Sequence, residues 1–456
     1  MIDTNRLDYK KDLEEVVYLF CDGVGIDIKH FEKNDGATFI NVYEFEGERY
    51  EFENKRKCLN LLETKRFEKR FSKLALYKIL SKKFNAINPW GALTGIRPVK
   101  MAYQAGENFE EEFKKVFEVT PKKIQIVKEI IETQKGIIDL KGEYSDLFIS
   151  IPFCPSRCAY CSFMSEEIGR SKYAGDYVNA LVKEIKGTKP IMGNLRSIYI
   201  GGGTPVSLDN SGLISILQSI SDLSSTVKEF TVEAGRPDVI TEEKLKILKD
   251  YGVTRICVNP QTFLDKTLKI IGRNHTADSI IEKYEIAKKY GFIVNMDIIA
   301  GLPNETFEDF KFTVDKVMEL SPDNFTAHTL CLKRGAKIRE SVERLSVLDI
   351  EKMIDYAHDK GLQNGYYPYY LYRQKYAAGN FENTGYSKKG KECIYNIDVM
   401  EETSSNPACG ANAVSKKVIV SENRLERYGA PKDIKTYIMK VDQIIEEKKQ
   451  LFLTNC

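Results

Sequence analysis

From about residue 146 onward, short apolar runs alternate with amphipathic stretches of helical period, and few folds accommodate that alternation. The runs lie at 147–153, 197–200, 229–234, 255–258, 293–299 and 324–329. Helical stretches fall between them, near 173–186, 209–222, 241–251, 276–290 and 307–319. Gly252, Gly291 and Gly301 stand where a helix or strand needs a tight stop. Strands that alternate with helices call for a parallel sheet with right-handed crossovers. Six such units predict an α/β fold, an open partial (β/α)6 barrel rather than a closed eightfold one. Its chemistry belongs at the C-terminal ends of the strands.

The flanks differ in texture. Residues 1–145 read as a separate α+β module, with strands expected at 15–20, 38–45 and 50–52 and a hairpin turn at Glu46-Gly47-Glu48. Helices are expected over 57–84 and from Pro121 to about 133. Between them, Pro89-Trp90-Gly91-Ala92-Leu93-Thr94-Gly95-Ile96-Arg97-Pro98 holds the single Trp of the chain. It reads as a packed connector or as a loop reaching toward a site in the next domain. The barrel spans 146–335, and 336–456 reads as an α+β extension that covers the substrate. That extension has a helix near 347–360, the aromatic run Tyr366 to Tyr372 and a Gly/Asn-rich stretch at 378–386.

Composition excludes several classes. The 456 residues are 42% apolar and 29% charged, as in a soluble globular enzyme. Lys and Arg total 68 against 66 Asp and Glu, a net +2, too balanced for a nucleic-acid coat. No apolar run approaches the ~18 residues of a membrane span, and the first residues lack a signal-peptide core. A cytoplasmic protein is expected, and its ten cysteines are not expected to form structural disulfides.

Three of those cysteines crowd together in Ile151-Pro152-Phe153-Cys154-Pro155-Ser156-Arg157-Cys158-Ala159-Tyr160-Cys161-Ser162-Phe163, directly after the first barrel strand. Structural zinc wants four closed ligands, and no second Cys/His pair follows at knuckle spacing. A dithiol redox site uses two thiols and leaves the third unexplained. An iron–sulfur cluster held by three thiolates leaves one iron open to a non-protein ligand, and a flexible loop lets closely spaced thiols wrap it. At the end of the second strand, Gly201-Gly202-Gly203-Thr204-Pro205 is a tight turn or a place where bare backbone meets a cofactor. Glu233 ends the third strand, as a solvated carboxylate or a ligand contact. Asp297 interrupts an apolar strand, where a lone carboxylate is costly without a partner.

The C-x3-C-x2-C pattern resembles that of the radical S-adenosylmethionine enzymes, which implies a 4Fe–4S cluster on Cys154, Cys158 and Cys161 with S-adenosylmethionine on the open iron. The wider set is similar to the oxygen-independent coproporphyrinogen III oxidases, also called coproporphyrinogen dehydrogenases. It comprises Ile151 to Cys154, Gly201 to Pro205, Asn259-Pro260-Gln261-Thr262-Phe263, Gly272-Arg273-Asn274-His275, and Asp297 with Gly301-Leu302-Pro303. That resemblance implies S-adenosylmethionine contacts at Phe148, Tyr160, Gly202, Gly203, Thr204, Glu233, Gln261, Arg273 and Asp297. The best-known members have tyrosine at the Phe148 position. Outside the barrel, Trp90 to Pro98 and Tyr370-Leu371-Tyr372-Arg373-Gln374-Lys375 through Gly385-Tyr386 resemble the HemZ-type branch. Gly390 to Asn396 and Cys409 to Ser415 resemble a pattern shared with the haem-chaperone relatives.

The implied reaction begins with reductive cleavage of S-adenosylmethionine to a 5′-deoxyadenosyl radical, which takes a hydrogen atom from a substrate propionate. Loss of CO₂ and one electron leaves a vinyl group, and two rounds turn coproporphyrinogen III into protoporphyrinogen IX. The implied partners are a tetrapyrrole substrate and a low-potential electron donor such as flavodoxin or ferredoxin. Arg373, Lys375, Lys388, Lys389 and Lys391 are candidates for the substrate carboxylates, and Tyr367, Tyr369, Tyr370 and Tyr372 for its ring. The plainer alternative is a solvated basic turn beside an aromatic core strand. Ser162 stands where established decarboxylating members carry a fourth Cys, which is absent here as it is in the haem-chaperone branch. A haem-binding chaperone, another tetrapyrrole-modifying radical enzyme and a zinc or electron-transfer module therefore stand as alternatives. Cys257 and Cys409 read as packed core thiols.

Overall fold

The computed structural model describes residues 2–21, 25–95, 97–161, 165–331, 347–374, 377 and 380–453. It comprises two compact units, one of Met1–Glu129 with Tyr372–Glu382, the other of Ile130–Leu371 with Asn383–Cys456.

In the first unit, β1 (Ile2–Thr4), β2 (Ile28–Asn34), β3 (Thr38–Phe45) and β4 (Glu48–Lys55) form one sheet in that order. Glu46 and Gly47 join β3 to β4 with φ of 50° and 81°, the turn whose twist matches that of paired strands. The helices are α1 (Lys10–Val17), α2 (Leu61–Phe84), α3 (Pro98–Ala105), α4 (Phe109–Val116) and α5 (Pro121–Gln134). Residues 15–20, expected as a strand, instead include the end of α1. Tyr9, Leu13, Val16 and Val17 recur at helical spacing and are buried with Tyr43 and Leu76, so tertiary burial overrides the β-branched pair. Trp90 is fully buried and donates through Nε1 to Glu382 at 2.7 Å, and Lys123 pairs with the same carboxylate. The segment from Trp90 to Gly95 is therefore a packed connector within its own unit.

In the second unit, β5 (Ser145–Ile151) leads into the short pair β6 (Phe153–Cys154) and β7 (Glu166–Glu167). Then α6 (Ala174–Thr188), β8 (Leu195–Gly202), α7 (Asn210–Ser219), α8 (Ser221–Ser224), β9 (Glu229–Gly235) and α9 (Glu242–Asp250) follow. Next come β10 (Arg255–Val258), α10 (Asp265–Ile270), α11 (Ala277–Lys289), β11 (Ile293–Ala300), α12 (Phe307–Leu320) and β12 (Asn324–Thr329). The six long strands lie side by side in chain order and all parallel, as Phe148↔Tyr199, Cys257↔Asn295 and Asp297↔Thr326 register them. This is the expected partial barrel. Asp209, Thr241, Thr276 and Thr306 cap the helices that leave its C-terminal edge.

The sheet continues beyond those six. After α13 (Val347–Gln363), β13 (Tyr367–Arg373) and β14 (Glu382–Ser387) extend it past β12, with β14 antiparallel. α14 (Ile394–Glu401) follows, and β15 (Ala408–Cys409) pairs with β5 at the other border. The hairpin β16 (Val414–Ile419) and β17 (Arg424–Gly429), then α15 (Ile434–Met439) and α16 (Val441–Leu453), complete the described chain. The start of α14 closes the N-terminal edge of the barrel. Arg255 donates to Glu229 at 3.0 Å and to the carbonyls of Lys391 and Glu392 at 2.9 and 3.0 Å. Cys393 donates to Glu229 at 3.0 Å, and Arg196 pairs with Asp398.

Candidate functional site

The cysteine loop leaves the C-terminal end of β5. Cys154 sits on β6, and all three thiols are half-buried. The loop is tied down by its backbone: Cys161 N–H donates to Cys158 O at 3.1 Å and Ala159 N–H to Ile271 O at 3.0 Å. Ser162 and Phe163 lie outside the described residues. The end of β8 runs under the loop, with Gly203 N–H on Ile151 O and Thr204 N–H on Phe153 O, both at 2.7 Å. A Cβ on Gly203 would stand 2.4 Å from Phe153 O, and Gly202 has φ +101°, so glycine is required at both. Thr204 Oγ1 lies 3.5 Å from Cys154 Sγ.

Below the loop, alternate residues of successive strands face inward. Phe148, Tyr199 and Tyr395 stack, Tyr199 on Tyr395 at 4.4 Å and Phe148 on Tyr395 at 6.1 Å. The Phe148 ring thus joins an aromatic floor, a role that needs no hydroxyl. Tyr199 donates its hydroxyl to Glu233 at 2.6 Å. Burial pushes the Glu233 carboxyl up to about 7, nearby Asp297 adds to the rise, and Tyr199 and His328 oppose it. Asp297 accepts from Asn295 at 2.8 Å and lies 3.6 Å from His328 Nε2. Burial raises Asp297 too, but the His328 contact with help from Asn295 and Thr326 outweighs it, so this carboxyl stays below its ordinary range. Two neighbouring carboxyls are thus driven apart, one toward an anion and one poised near neutrality. Cys257 is buried on the same face, 3.8 Å from Asn295 Nδ2, whereas Cys409 packs beside Thr188 at 3.4 Å.

Arg273 and Gln261 complete this edge. Arg273 is buried, donates to Asn259 O at 2.7 Å and to the Tyr160 hydroxyl at 3.1 Å, and contacts Cys158. Its Nε has no partner. Gln261 is buried with φ +66°, a conformation few side chains adopt, held by Gln261 N–H on Asp297 O at 2.9 Å and Ile299 N–H on Gln261 O at 3.0 Å. The structure therefore brings Phe148, Tyr160, Gly202, Gly203, Thr204, Glu233, Gln261, Arg273 and Asp297 to the cysteine edge of one sheet. Sequence reasoning missed Tyr199, Asn295 and His328. The signal for Asn295 was available, since it shares strand and face with Asp297.

The suggested substrate contacts fall elsewhere. β14 runs antiparallel to β12, so its end at Ser387 pairs with Asn324, the first residue of β12. Lys388 and Lys391 follow that point and stand at the N-terminal edge, opposite the cysteines. Lys388 donates to Ser321, and the Lys391 carbonyl receives Arg255 and Asn324. Arg373 belongs to the other unit, where it is buried, lies 5.2 Å from the Trp90 ring centre and donates to the carbonyls of Leu93 and Gly95. Lys375 lies outside the described residues. Tyr369 and Tyr370 are buried core residues, and Tyr370 packs so tightly on Gly385 that a Cβ there would stand 1.8 Å from its ring.

Among the described residues no three His, Cys, Asp or Glu side chains converge as a single metal ion would require. The three thiols are instead spaced along one loop, and their surroundings suit thiolates: a hydroxyl at Cys154 and guanidinium groups at Cys158. That donor set fits a polynuclear iron–sulfur cluster.

Comparison with known proteins agrees. Residues 148–317 match the family model of the radical SAM superfamily. The "oxygen-independent coproporphyrinogen-III oxidase-like protein HemZ" of Bacillus subtilis is 37% identical over 382 residues, 79% of this chain and 76% of that protein. The heme chaperone HemW of the same organism is 36% identical over 192 residues, 41% of this chain and 50% of that one, so only half of its length is spanned. The solved radical SAM enzyme coproporphyrinogen III oxidase (HemN) of Escherichia coli superposes with a TM-score of 0.54 at 20% identity, over 67% of this chain and 70% of that one, a likeness of fold.

Proposed function

The chain belongs to the radical SAM superfamily and, within it, to the HemZ family of oxygen-independent coproporphyrinogen-III oxidase-like proteins, and on that premise we propose that it oxidatively decarboxylates the propionates of coproporphyrinogen III to vinyl groups, giving protoporphyrinogen IX. A member of this superfamily works with a 4Fe–4S cluster and S-adenosylmethionine and needs a reductant. When bound, the pair supplies one-electron reductive cleavage and hydrogen-atom abstraction.

The observation that carries the reading is the cysteine loop at the end of β5, set beside the glycine-stripped end of β8 and above the inward carboxylates of β9 and β11. Cys154, Cys158 and Cys161 would hold three irons. Gly202, Gly203 and Thr204 keep backbone and a small hydroxyl against the loop. Glu233 and Asp297 offer negative charge to the ammonium and ribose hydroxyls of S-adenosylmethionine, and Tyr160 and Phe148 offer apolar surface. Gln261 and Arg273 add donors fixed in direction by buried backbone bonds. The aromatic floor and the closed N-terminal edge keep water from the same interior.

The test is an anaerobic assay of the reconstituted chain with coproporphyrinogen III, S-adenosylmethionine and a low-potential donor such as flavodoxin or ferredoxin. Vinyl product formed together with methionine is expected; methionine release without porphyrinogen conversion overturns the substrate. A second reading, a haem-binding chaperone, is favoured by Ser162 and by the likeness to HemW. Stoichiometric haem capture with no consumption of S-adenosylmethionine would select it.

A further inference from the structure

Arg236 is absent from every contact that family resemblance implies, yet it is buried, 3% exposed, against the cysteine loop. It follows β9 in the turn Gly235-Arg236-Pro237-Asp238. Its Nη1 donates to Ser156 O at 3.1 Å and Ser156 Oγ at 2.8 Å and lies 3.8 Å from Cys158 Sγ. Its Nε and Nη2 fork onto Asp238 at 3.0 and 2.6 Å. Behind that carboxylate stands His275, with Nδ1 at 3.8 Å. A two-pronged fork fixes the plane of the guanidinium, so the remaining nitrogen has one direction in which to point. Arg273 contacts the same Cys158. Two buried cations thus meet the middle cysteine of the loop, with Asp238 the one carboxylate paired to either of them among the described residues. Buried charge is stable when it is matched, and on the far side both cations face the cysteine loop.

We propose that Arg236, clamped by Asp238, is a positioning residue that pins Ser156 and Cys158 and holds positive charge against the cluster borne by the three cysteines, easing its one-electron reduction. Hydrogen bonds to the sulfurs and local charge are among the terms that set such potentials, and a nearby cation favours the more negative, reduced state. The inference rests on the assignment of Cys154, Cys158 and Cys161 as cluster ligands.

The full chain and its Arg236→Gln and Arg236→Lys variants are reconstituted anaerobically, assayed for iron and sulfide, and titrated with dithionite while the reduced cluster is followed by electron paramagnetic resonance. Thermal unfolding of each unloaded chain is recorded beside them. The Gln variant is expected to load its cluster but to reduce about tenfold less favourably, ~59 mV more negative for a one-electron couple, and the Lys variant is expected to recover most of the loss. Loss of iron from a Gln variant that unfolds like the wild type, with iron regained by the Lys variant, supports the pinning role equally. A Gln variant with full iron and the wild-type potential overturns the inference, as does a Lys variant no better than the Gln one. If both lose iron and both unfold early, Arg236 is a brace of the fold and the inference falls. A wild-type chain that takes up no cluster would instead overturn the cysteine assignment.

Discussion

The two edges of the partial barrel are built from the same strands, yet they treat buried carboxylates in opposite ways. At the N-terminal edge guanidinium groups meet the carboxylates: Arg255 with Glu229 and Arg196 with Asp398, with Cys393 on Glu229 and the carbonyls of residues 391 and 392 on Arg255. At the C-terminal edge Glu233 faces a phenol and an imidazole rather than an ammonium or guanidinium. A polar group that a protein buries without matching it costs stability. For a carboxylate without a cation, the edge that bears that cost is the one proposed for the cofactor.

The sharpest way to break this contrast is to remove one cysteine from each edge. Cys154→Ala, Cys158→Ala and Cys161→Ala are each expected to abolish cluster binding, read as iron and sulfide content. Cys393→Ala is expected to keep the full cluster. Next in size, Arg255→Met strands Glu229 in the interior and should cost about 3–5 kcal/mol in urea unfolding, while cofactor cleavage per folded molecule stays unchanged. Asp297→Asn should do the reverse. It removes a charged hydrogen-bond acceptor worth ~1.5–3 kcal/mol, weakening S-adenosylmethionine binding by roughly ten- to a hundredfold in calorimetry, with little effect on unfolding.

A smaller effect sharpens the difference through pH. Folding raises the Glu233 carboxyl from 4.5 to about 7, so the folded state prefers it protonated. The penalty is absent below the lower value, grows as pH rises through that window, and is complete above it. Stability of the cofactor-free chain should therefore fall across that window, and Glu233→Gln should flatten the fall. Smallest of all, Lys388→Ala removes an exposed hydrogen bond to Ser321, worth at most about 1 kcal/mol. It should leave the KM for substrate unchanged; a raised KM would show that substrate reaches the matched edge.

What was legible in the sequence follows from which signals are local. The six parallel strands are short apolar runs between amphipathic helices, and that period needs no tertiary knowledge. Asp297 stands out because a carboxylate inside an apolar strand carries a visible cost. α1 misleads because Val16-Val17-Tyr18 has strand propensity, and only the joint burial of Tyr9 and Leu13 with them shows the helix. Tyr199 and His328 raise no alarm by composition, since either residue type is at home in a strand. Arg236 reads as surface until the turn after β9 delivers it to the loop. Lys388 and Lys391 mislead because their end of the sheet depends on β14 running backward, and strand direction leaves no mark in composition.

The pairing of β15 with β5 has a consequence for synthesis. β5 delivers Cys154, yet its outer border is covered by Ala408 and Cys409 of β15 and by Ser405 and Pro407 just before them. On a growing chain β5 is made long before that cover, so it waits as an open strand edge, the feature most prone to pair wrongly with other chains. The strand that carries the cysteine loop is thus among the first of the barrel to be synthesised and the last to be sealed. Truncation before residue 405 would leave all three clustered cysteines in the chain but on a strand with a bare border.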